Sequence, residues 1–156
     1  MSDYYDIHFG LIPREWNDFY SEAIEQVKLA EKVGFESIWI EEHHGHDKYL
    51  PCPIDALNAL STHTFLKLGT AIVILPLYHP VRLAEQVAQL DSISHGRVIL
   101  GVGVGYRAKD FNYYNVNIKE RGKLAEEELQ IIDKLLSEEN VDFIGKYYKL
   151  NGVTIM

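Results

Sequence analysis

Apolar runs that predict strands alternate along this chain with amphipathic stretches that predict helices. The predicted strands cover residues 7–12, 37–41, 68–75 and 98–102. The predicted helices cover residues 19–33, 54–64, 80–95 and 120–139. The strands recur about every thirty residues, the length of one strand–helix–strand repeat. Because strands and helices alternate, the pattern predicts an α/β fold with a parallel sheet built from four strand–helix units.

The third predicted strand indicates a sheet that is covered on both faces. Residues 68–75 are apolar almost throughout and end at Pro76. Continuous apolar runs of this kind are typical of parallel strands with helices packed outside them. Around the first helix, Asn17 or Asp18 is the expected N-cap and Gly34 the expected terminator.

The region after the fourth strand predicts less regular structure. A polar, aromatic loop containing Phe111, Tyr113 and Tyr114 is expected before the long helix. Residues 141–150 predict a short hairpin that turns at Gly145 and Lys146. A chain of 156 residues suits one domain with a real core and is small for two.

Composition and charge exclude several classes of partner. The formal net charge of −8 disfavours nucleic acids and anionic membrane surfaces, because the whole molecule would repel them. No apolar run approaches the roughly 18 residues that span a bilayer, and the first six residues lack the basic start of a signal peptide. We therefore expect a cytoplasmic location. The single cysteine, Cys52, excludes an internal disulfide framework and a cysteine-based zinc site.

The unusual residues of the chain fall where predicted strands end. In parallel α/β folds, ligands bind beyond the carboxyl ends of the strands. Applied here, this rule selects four segments, which are the residues after Gly10, then 41–46, 76–79 and 103–107. These segments are the expected positions of the chemistry.

The segment Glu42-His43-His44 carries the titratable side chains of greatest interest. Histidine exchanges protons near neutral pH, and a neighbouring carboxylate can fix its tautomer or raise its pKa. A metal site is an alternative, because His46 and Asp47 follow closely. Adjacent residues of a strand point in opposite directions, so His43 and His44 are poorly placed to ligate one ion. A catalytic or cofactor-contacting role is favoured, and a structural histidine pair stays open.

A glycine cluster follows the fourth strand at Gly101, Gly103 and Gly105. The dinucleotide-binding fingerprint fits it poorly, because the position of the third glycine is occupied by Tyr106. The glycines instead indicate a place where backbone approaches a neighbouring strand or a flat cofactor ring.

Five motifs in this order resemble the bacterial luciferase-like flavin monooxygenases. The motifs are residues 39–44 (WIEEHH), 69–76 (GTAIVILP), 79–86 (HPVRLAEQ), 91–97 (DSISHGR) and 101–105 (GVGVG). The match extends from Ile7 to about Leu150. The resemblance implies an eight-stranded parallel barrel of the TIM type, of which this chain holds the N-terminal half. We expect that half over residues 1–156, without the C-terminal half.

The resemblance also implies a cofactor and residue roles. The family uses reduced FMN, or in some branches the deazaflavin coenzyme, at the barrel mouth. Glu42 and His43 would face the reacting edge of the ring, with His43 as acid or base and His44 as a second catalytic candidate. The peptide between Ala71 and Ile72 would match the family's non-prolyl cis bond, which supports the ring. Further cofactor contacts are implied for Gly103, Gly105 and Tyr106.

Two departures from the family qualify these expectations. Where the luciferase α subunit has a phosphate-binding arginine, this chain has Val104. Family members are also roughly twice this long, since a complete barrel needs eight strand–helix units. The chain is therefore a fragment, a truncated product or a half-barrel that forms a homo-oligomer or pairs with a complementary half.

The leading hypothesis from the sequence is a flavin-dependent monooxygenase in which reduced FMN and oxygen act on an organic substrate. A deazaflavin-dependent oxidoreductase of the same fold is the first alternative. A non-catalytic flavin-binding half-barrel is the second. The first two hypotheses differ in whether oxygen is consumed, which no residue in the sequence decides.

Overall fold

A computed structural model describes residues 10–12, 19–45 and 49–155 of the chain. Its helices are α1 (Phe19–Lys32), α2 (Pro53–Ser61), α3 (Pro80–Ser94), α4 (Ala108–Tyr113) and α5 (Arg121–Ser137). Its strands are β1 (Gly10–Leu11), β2 (Ser37–Ile40), β3 (Lys67–Thr70), β4 (Val73–Ile74), β5 (Val98–Ile99), β6 (Val102–Gly103), β7 (Val141–Ile144) and β8 (Lys149–Val153). Residues 7–9 of the first predicted strand and the caps expected at Asn17 or Asp18 lie outside the described residues.

The main sheet is parallel and follows the order of the chain. Its strands are arranged β1-β2-β3-β5, and each pair is parallel. In the longest pairing, Ser37 to Ile40 of β2 lie beside Lys67 to Thr70 of β3. Helices connect successive parallel strands, as expected of strand–helix repeats. The predicted α/β fold, a partial parallel barrel, is confirmed.

The third and fourth predicted strands are each divided into two short strands. β3 ends at Thr70 and β4 begins at Val73, and β4 pairs with β6 in a separate parallel ladder. At this break the Thr70 hydroxyl donates to the Gly101 carbonyl (2.7 Å) and accepts from the Gly101 amide (2.9 Å). The side chain of Thr70 therefore takes the place of backbone pairing there. The prediction of one continuous strand over 68–75 and another over 98–102 was therefore wrong. Hydropathy does not show where a side-chain hydrogen bond replaces backbone pairing.

The two sides of β2 contact different parts of the molecule. Ile38 and Ile40 are buried in the core that the strands share with the helices. Trp39 points to the opposite side, where its ring lies over Gly10 and Gly69 of the neighbouring strands. A Cβ atom at Gly69 would overlap the Trp39 ring, so this close approach requires glycine. The alternation of strand side chains thus separates a helix-facing side from a barrel-interior side.

The structure corrects the predicted loop around Phe111. Helix α4 occupies most of that segment, and Phe111 is buried against Gly105 and Ile74. A helix of six residues is too short to show an amphipathic period in the sequence, so its buried aromatic residue gave no usable signal.

Two smaller predictions are also adjusted. Helix α2 ends at Ser61 rather than Thr64, whose hydroxyl instead donates to Glu31 of α1 (3.0 Å). The predicted hairpin is present as β7 and β8, and it extends to Val153. His79 occupies the N-cap position of α3, but its side chain makes no capping hydrogen bond and packs against the Tyr148 ring. Within the described part of the chain, no helix has the length and apolar character needed to cross a membrane.

Candidate active site

A cavity of about 580 Å³ opens at the carboxyl ends of the strands, which is large enough for a small-molecule ligand. Its lining includes seven of the residues that the sequence selected, which are Glu42, His43, Ala71, Ile72, Gly103, Gly105 and Tyr106. The eighth, His44, is not part of the lining. The strand-end rule had selected the residues from segments 41–46 and 103–107, and the family resemblance had added Ala71 and Ile72.

Residues 41–44 form two histidine–carboxylate pairs on opposite sides of the chain. Glu41 and His43 line the cavity, with 4.0 Å between Oε2 and Nε2 and side chains 24% and 33% exposed. Glu42 and His44 lie on the other side, with 2.6 Å between Oε1 and Nε2 and side chains 0% and 5% exposed. Each histidine is thus paired with the carboxylate two positions earlier. Glu42 does not pair with the adjacent His43, because neighbouring side chains point apart.

The Glu42 carboxylate is held inside the protein by donors from three segments. Its Oε2 accepts from the Ile74 amide (3.0 Å) and from the Tyr78 hydroxyl (3.1 Å), while Oε1 contacts His44. Burial raises the pKa of Glu42, and the Ile74 amide and His44 oppose that shift. Glu42 borders the cavity, its carboxylate is fully buried against these donors, and its role as a cofactor contact stays a prediction. Glu42 also joins β2 to the segment after β3.

His44 uses both ring nitrogens in buried contacts. Nε2 faces Glu42, and Nδ1 lies 3.1 Å from the hydroxyl of Tyr114 at the end of α4. Burial and the nearby Glu42 raise the pKa of Tyr114, so its hydroxyl keeps its proton near neutral pH. This arrangement satisfies the imidazole without any contact to the cavity.

The cavity floor is formed by closely approaching strands. The peptide bond between Ala71 and Ile72 is cis, as the resemblance implied. A Cβ atom at Gly103 would lie 2.8 Å from the tip of the Ile72 side chain, and one at Gly101 would overlap the Thr70 carbonyl. The glycines therefore relieve crowding between neighbouring strands, which agrees with the sequence interpretation.

A charged part of the cavity had no role predicted from the sequence, although its Arg107 lies in the selected segment 103–107. It consists of Arg107, Asp110 and Arg121, which also line the cavity. Arg107 Nη1 lies 3.6 Å from Asp110 Oδ1, and Arg121 Nη1 donates to the Ile118 carbonyl (2.9 Å). Among the described residues, Asp110 Oδ1 and Arg121 Nε are buried without a hydrogen-bond partner. Two buried polar atoms beside a cavity are candidates for contact with a ligand.

No metal-binding group of three or more His, Cys, Asp or Glu side chains occurs within residues 10–12, 19–45 and 49–155. His46 and Asp47, two of the candidate ligands from the sequence, lie outside those ranges. The neighbouring His43 and His44 point to opposite sides of the chain.

A parallel strand–helix fold with its cavity at the carboxyl ends of the strands is typical of barrel enzymes. Within that class, the chain belongs to the luciferase-like monooxygenase family, whose model matches residues 10–156. The family predicted from the sequence motifs is confirmed. Two curated relatives are each 30% identical to this chain: limonene 1,2-monooxygenase of Rhodococcus erythropolis, over 89% of the chain, and an alkanal monooxygenase alpha chain of Photorhabdus luminescens, over 83%.

Solved structures agree with this assignment. A monooxygenase from Streptomyces bottropensis is 25% identical and superposes with a TM-score of 0.90 over 96% of this chain. The oxygenating constituent of 3,6-diketocamphane monooxygenase from Pseudomonas putida, solved with FMN, is 26% identical and gives 0.83 over 93%. This chain covers 49% and 43% of those two proteins, and 38% and 36% of the two curated relatives. It therefore spans less than half the length of the proteins that it matches.

Proposed function

We propose that this chain is the N-terminal half-barrel of a flavin-dependent monooxygenase that acts on an organic substrate with reduced FMN and molecular oxygen. The observation that carries the proposal is the cavity itself, which joins a glycine-lined floor, a histidine and two arginines. The glycines allow the backbone to approach a flat ring closely. The imidazole of His43 can transfer a proton, and the two guanidinium groups can bind a phosphate. The FMN complex of the diketocamphane enzyme supports the choice of cofactor.

The described residues fit such a cofactor at both ends. At the floor, Gly103 leaves room that a side chain would take from Ile72. At the charged part, the buried Nε of Arg121 has no hydrogen-bond partner among the described residues, and a guanidinium can bind a phosphate. Asp110 Oδ1 is also buried without a hydrogen bond, although it lies 3.6 Å from Arg107 Nη1, and a carboxylate can accept from hydroxyl groups. Arg107 and Arg121 thus supply positive charge that Val104 does not.

His43 is the residue we assign to proton transfer. It lines the cavity at the end of β2 and is partly exposed to it, whereas His44 is buried elsewhere. Glu41 Oε2 lies 4.0 Å from His43 Nε2 on the same side of the chain. Reduced FMN, when bound, supplies the electrons with which oxygen is activated. The role of the chain is to hold the ring against the floor and to place an acid or base beside it.

A flavin titration of the Arg121→Met variant tests the proposal. We expect FMN to bind roughly tenfold to hundredfold more weakly to the variant, because a hydrogen bond to a charged group is lost. Riboflavin lacks the phosphate, so its affinity should not change. Arg82→Met is the matched control, since Arg82 is exposed on α3 and pairs with Glu85. Equal FMN affinities for the variant and the unmodified chain would contradict this placement of the phosphate.

Oxygen consumption separates the leading function from its alternatives. A monooxygenase consumes oxygen as it forms product, whereas a deazaflavin-dependent oxidoreductase transfers a hydride without it. A non-catalytic flavin-binding half-barrel would bind the ring and form no product. An F420-dependent secondary alcohol dehydrogenase superposes with a TM-score of 0.80 at 24% identity, a likeness that concerns the fold alone.

We further propose that the chain acts in an assembly, as a homo-oligomer or with a complementary half. Strand β5 has β3 as its one partner in the described sheet, and large apolar side chains such as Leu29, Phe65 and Leu136 are exposed. Open sheet edges and exposed apolar surface favour association. We expect light scattering to give a mass above that of one chain. A monodisperse species of 17.9 kDa with cooperative unfolding would contradict this expectation.

A further inference from the structure

Both ends of the short helix α4 are attached to His44. At the N-terminal end, Arg107 Nη1 donates to the His44 carbonyl (3.4 Å), and at the C-terminal end the Tyr114 hydroxyl meets His44 Nδ1 (3.1 Å). The rings of His44 and Tyr114 also pack edge to face, with their centroids 5.0 Å apart. A helix of six residues cannot maintain its position through its own hydrogen bonds. Its placement therefore depends on tertiary contacts of this kind.

His44 is itself fixed on its other side. Its Nε2 lies 2.6 Å from Glu42, whose second oxygen accepts from the Ile74 amide and the Tyr78 hydroxyl. A continuous series of hydrogen bonds thus runs from β4 through Glu42 and His44 to the end of α4. The series lies in the protein interior as far as His44, where water does not compete for the donors.

Helix α4 carries part of the cavity wall. Asp110 lies within it, Arg107 is its N-cap residue, and both line the cavity. A displacement of α4 would therefore move two of the three charged residues that face a ligand. His43, in contrast, belongs to the segment after β2 and does not depend on α4.

We propose that His44 and Tyr114 are positioning residues that set the affinity of the cavity for its ligand by holding α4 in place. The identity of that ligand as a flavin rests on the function proposed above, whereas the attachment of α4 does not. His44 acts through Tyr114 and Arg107 and transfers no proton to a ligand. The two adjacent histidines then have separate roles, His43 in turnover and His44 in binding.

The Tyr114→Phe variant removes the hydroxyl and keeps the ring. Phe111 anchors the same helix through its buried ring, so the variant should remain folded. The matched control is Tyr113→Phe, because Tyr113 is similarly exposed (53% against 45%) and its hydroxyl lies beside Gly45 rather than on the His44 ring. Two quantities are measured for the full chain and both variants. They are the amide hydrogen exchange of residues 108–114 without ligand and the dissociation constant for FMN.

We expect Tyr114→Phe to speed exchange in residues 108–114 and to weaken FMN binding roughly threefold to tenfold, the factor that corresponds to one net hydrogen bond. Exchange in β3 should not change, and turnover at saturating flavin should stay near that of the unmodified chain. The control should match the unmodified chain in every measurement. In the unmodified chain, FMN should slow exchange in residues 108–114, which tests the same coupling without any substitution.

Other results would overturn the proposal. Unchanged exchange and unchanged FMN affinity in Tyr114→Phe would remove the positioning role. Lower turnover with unchanged affinity would instead assign the pair to proton transfer. Lack of FMN binding by the unmodified chain would end the proposed function, but the exchange comparison without ligand would still decide whether Tyr114 holds α4.

Discussion

Replacement of His43 by alanine is expected to lower turnover about 100-fold to 10,000-fold in any assembled, active form, which is the usual contribution of a positioned proton-transfer group. His43 lines the cavity at the end of β2, and the pKa of a histidine normally lies near neutral pH. Flavin affinity should stay nearly intact, because the floor and the arginines are unchanged. The measurement is single-turnover oxidation of the bound flavin together with the yield of product.

Two further variants make this test specific. His63→Ala is the control, because His63 is exposed after α2 and does not line the cavity. His44→Ala should lower turnover less than His43→Ala and weaken flavin binding more, since His44 holds α4 rather than a reacting group. The assignment of His43 is wrong if His43→Ala is as active as the unmodified chain, or if His44→Ala is the more damaging change in turnover.

The overall fold could be predicted because each strand–helix unit carries its own signal. The apolar run over 68–75 and the helix after Pro80 show their type locally, and parallel pairing follows from their alternation. The division of that run could not be predicted in the same way. It depends on Thr70 bonding to Gly101, two residues that are far apart in the sequence and equally compatible with an unbroken strand.

The candidate site was predictable where strand ends define it and where the family motifs name a residue, as for Ala71 and Ile72. Gly103 and His43 follow strands, so the rule for parallel sheets placed them in one cavity. Which of two adjacent residues faces the cavity depends on the register of β2, and that separates Glu41 and His43 from Glu42 and His44. Arg121 lies on a helix whose position is set by packing, so no local pattern indicated it.

Stability should decrease as pH rises from about 5 to 8, and Glu128 is expected to cause much of the decrease. Glu128 is fully buried on α5, where it accepts from the Tyr148 hydroxyl (2.7 Å), while its other oxygen has no hydrogen-bond partner among the described residues. Burial raises the pKa of Glu128 from 4.5 to about 8, and the nearby Glu127 adds to the shift. The folded protein therefore keeps this carboxyl protonated at neutral pH.

The direction of this pH dependence follows from the protonation of Glu128 in the folded and the unfolded chain. Below the ordinary pKa of 4.5 the carboxyl is protonated in both the folded and the unfolded chain, so it has no effect on stability. Between pH 4.5 and about 8 the unfolded chain ionises while the folded chain does not, which favours unfolding increasingly. Above that range both states are ionised and the loss is constant. Its full size is roughly 5 kcal/mol.

Glu128→Gln isolates this contribution, because glutamine keeps an acceptor for Tyr148 and cannot ionise. The variant and the unmodified chain should have similar free energies of unfolding at pH 5, and the variant should be more stable at pH 9 by roughly 5 kcal/mol. Glu126→Gln is the matched control, since Glu126 is exposed on the same helix. Denaturant unfolding at pH 5, 7 and 9 measures all three proteins. Parallel pH curves for the unmodified chain and Glu128→Gln would show that Glu128 is already ionised in the folded protein, and that its buried oxygen has a partner in solution.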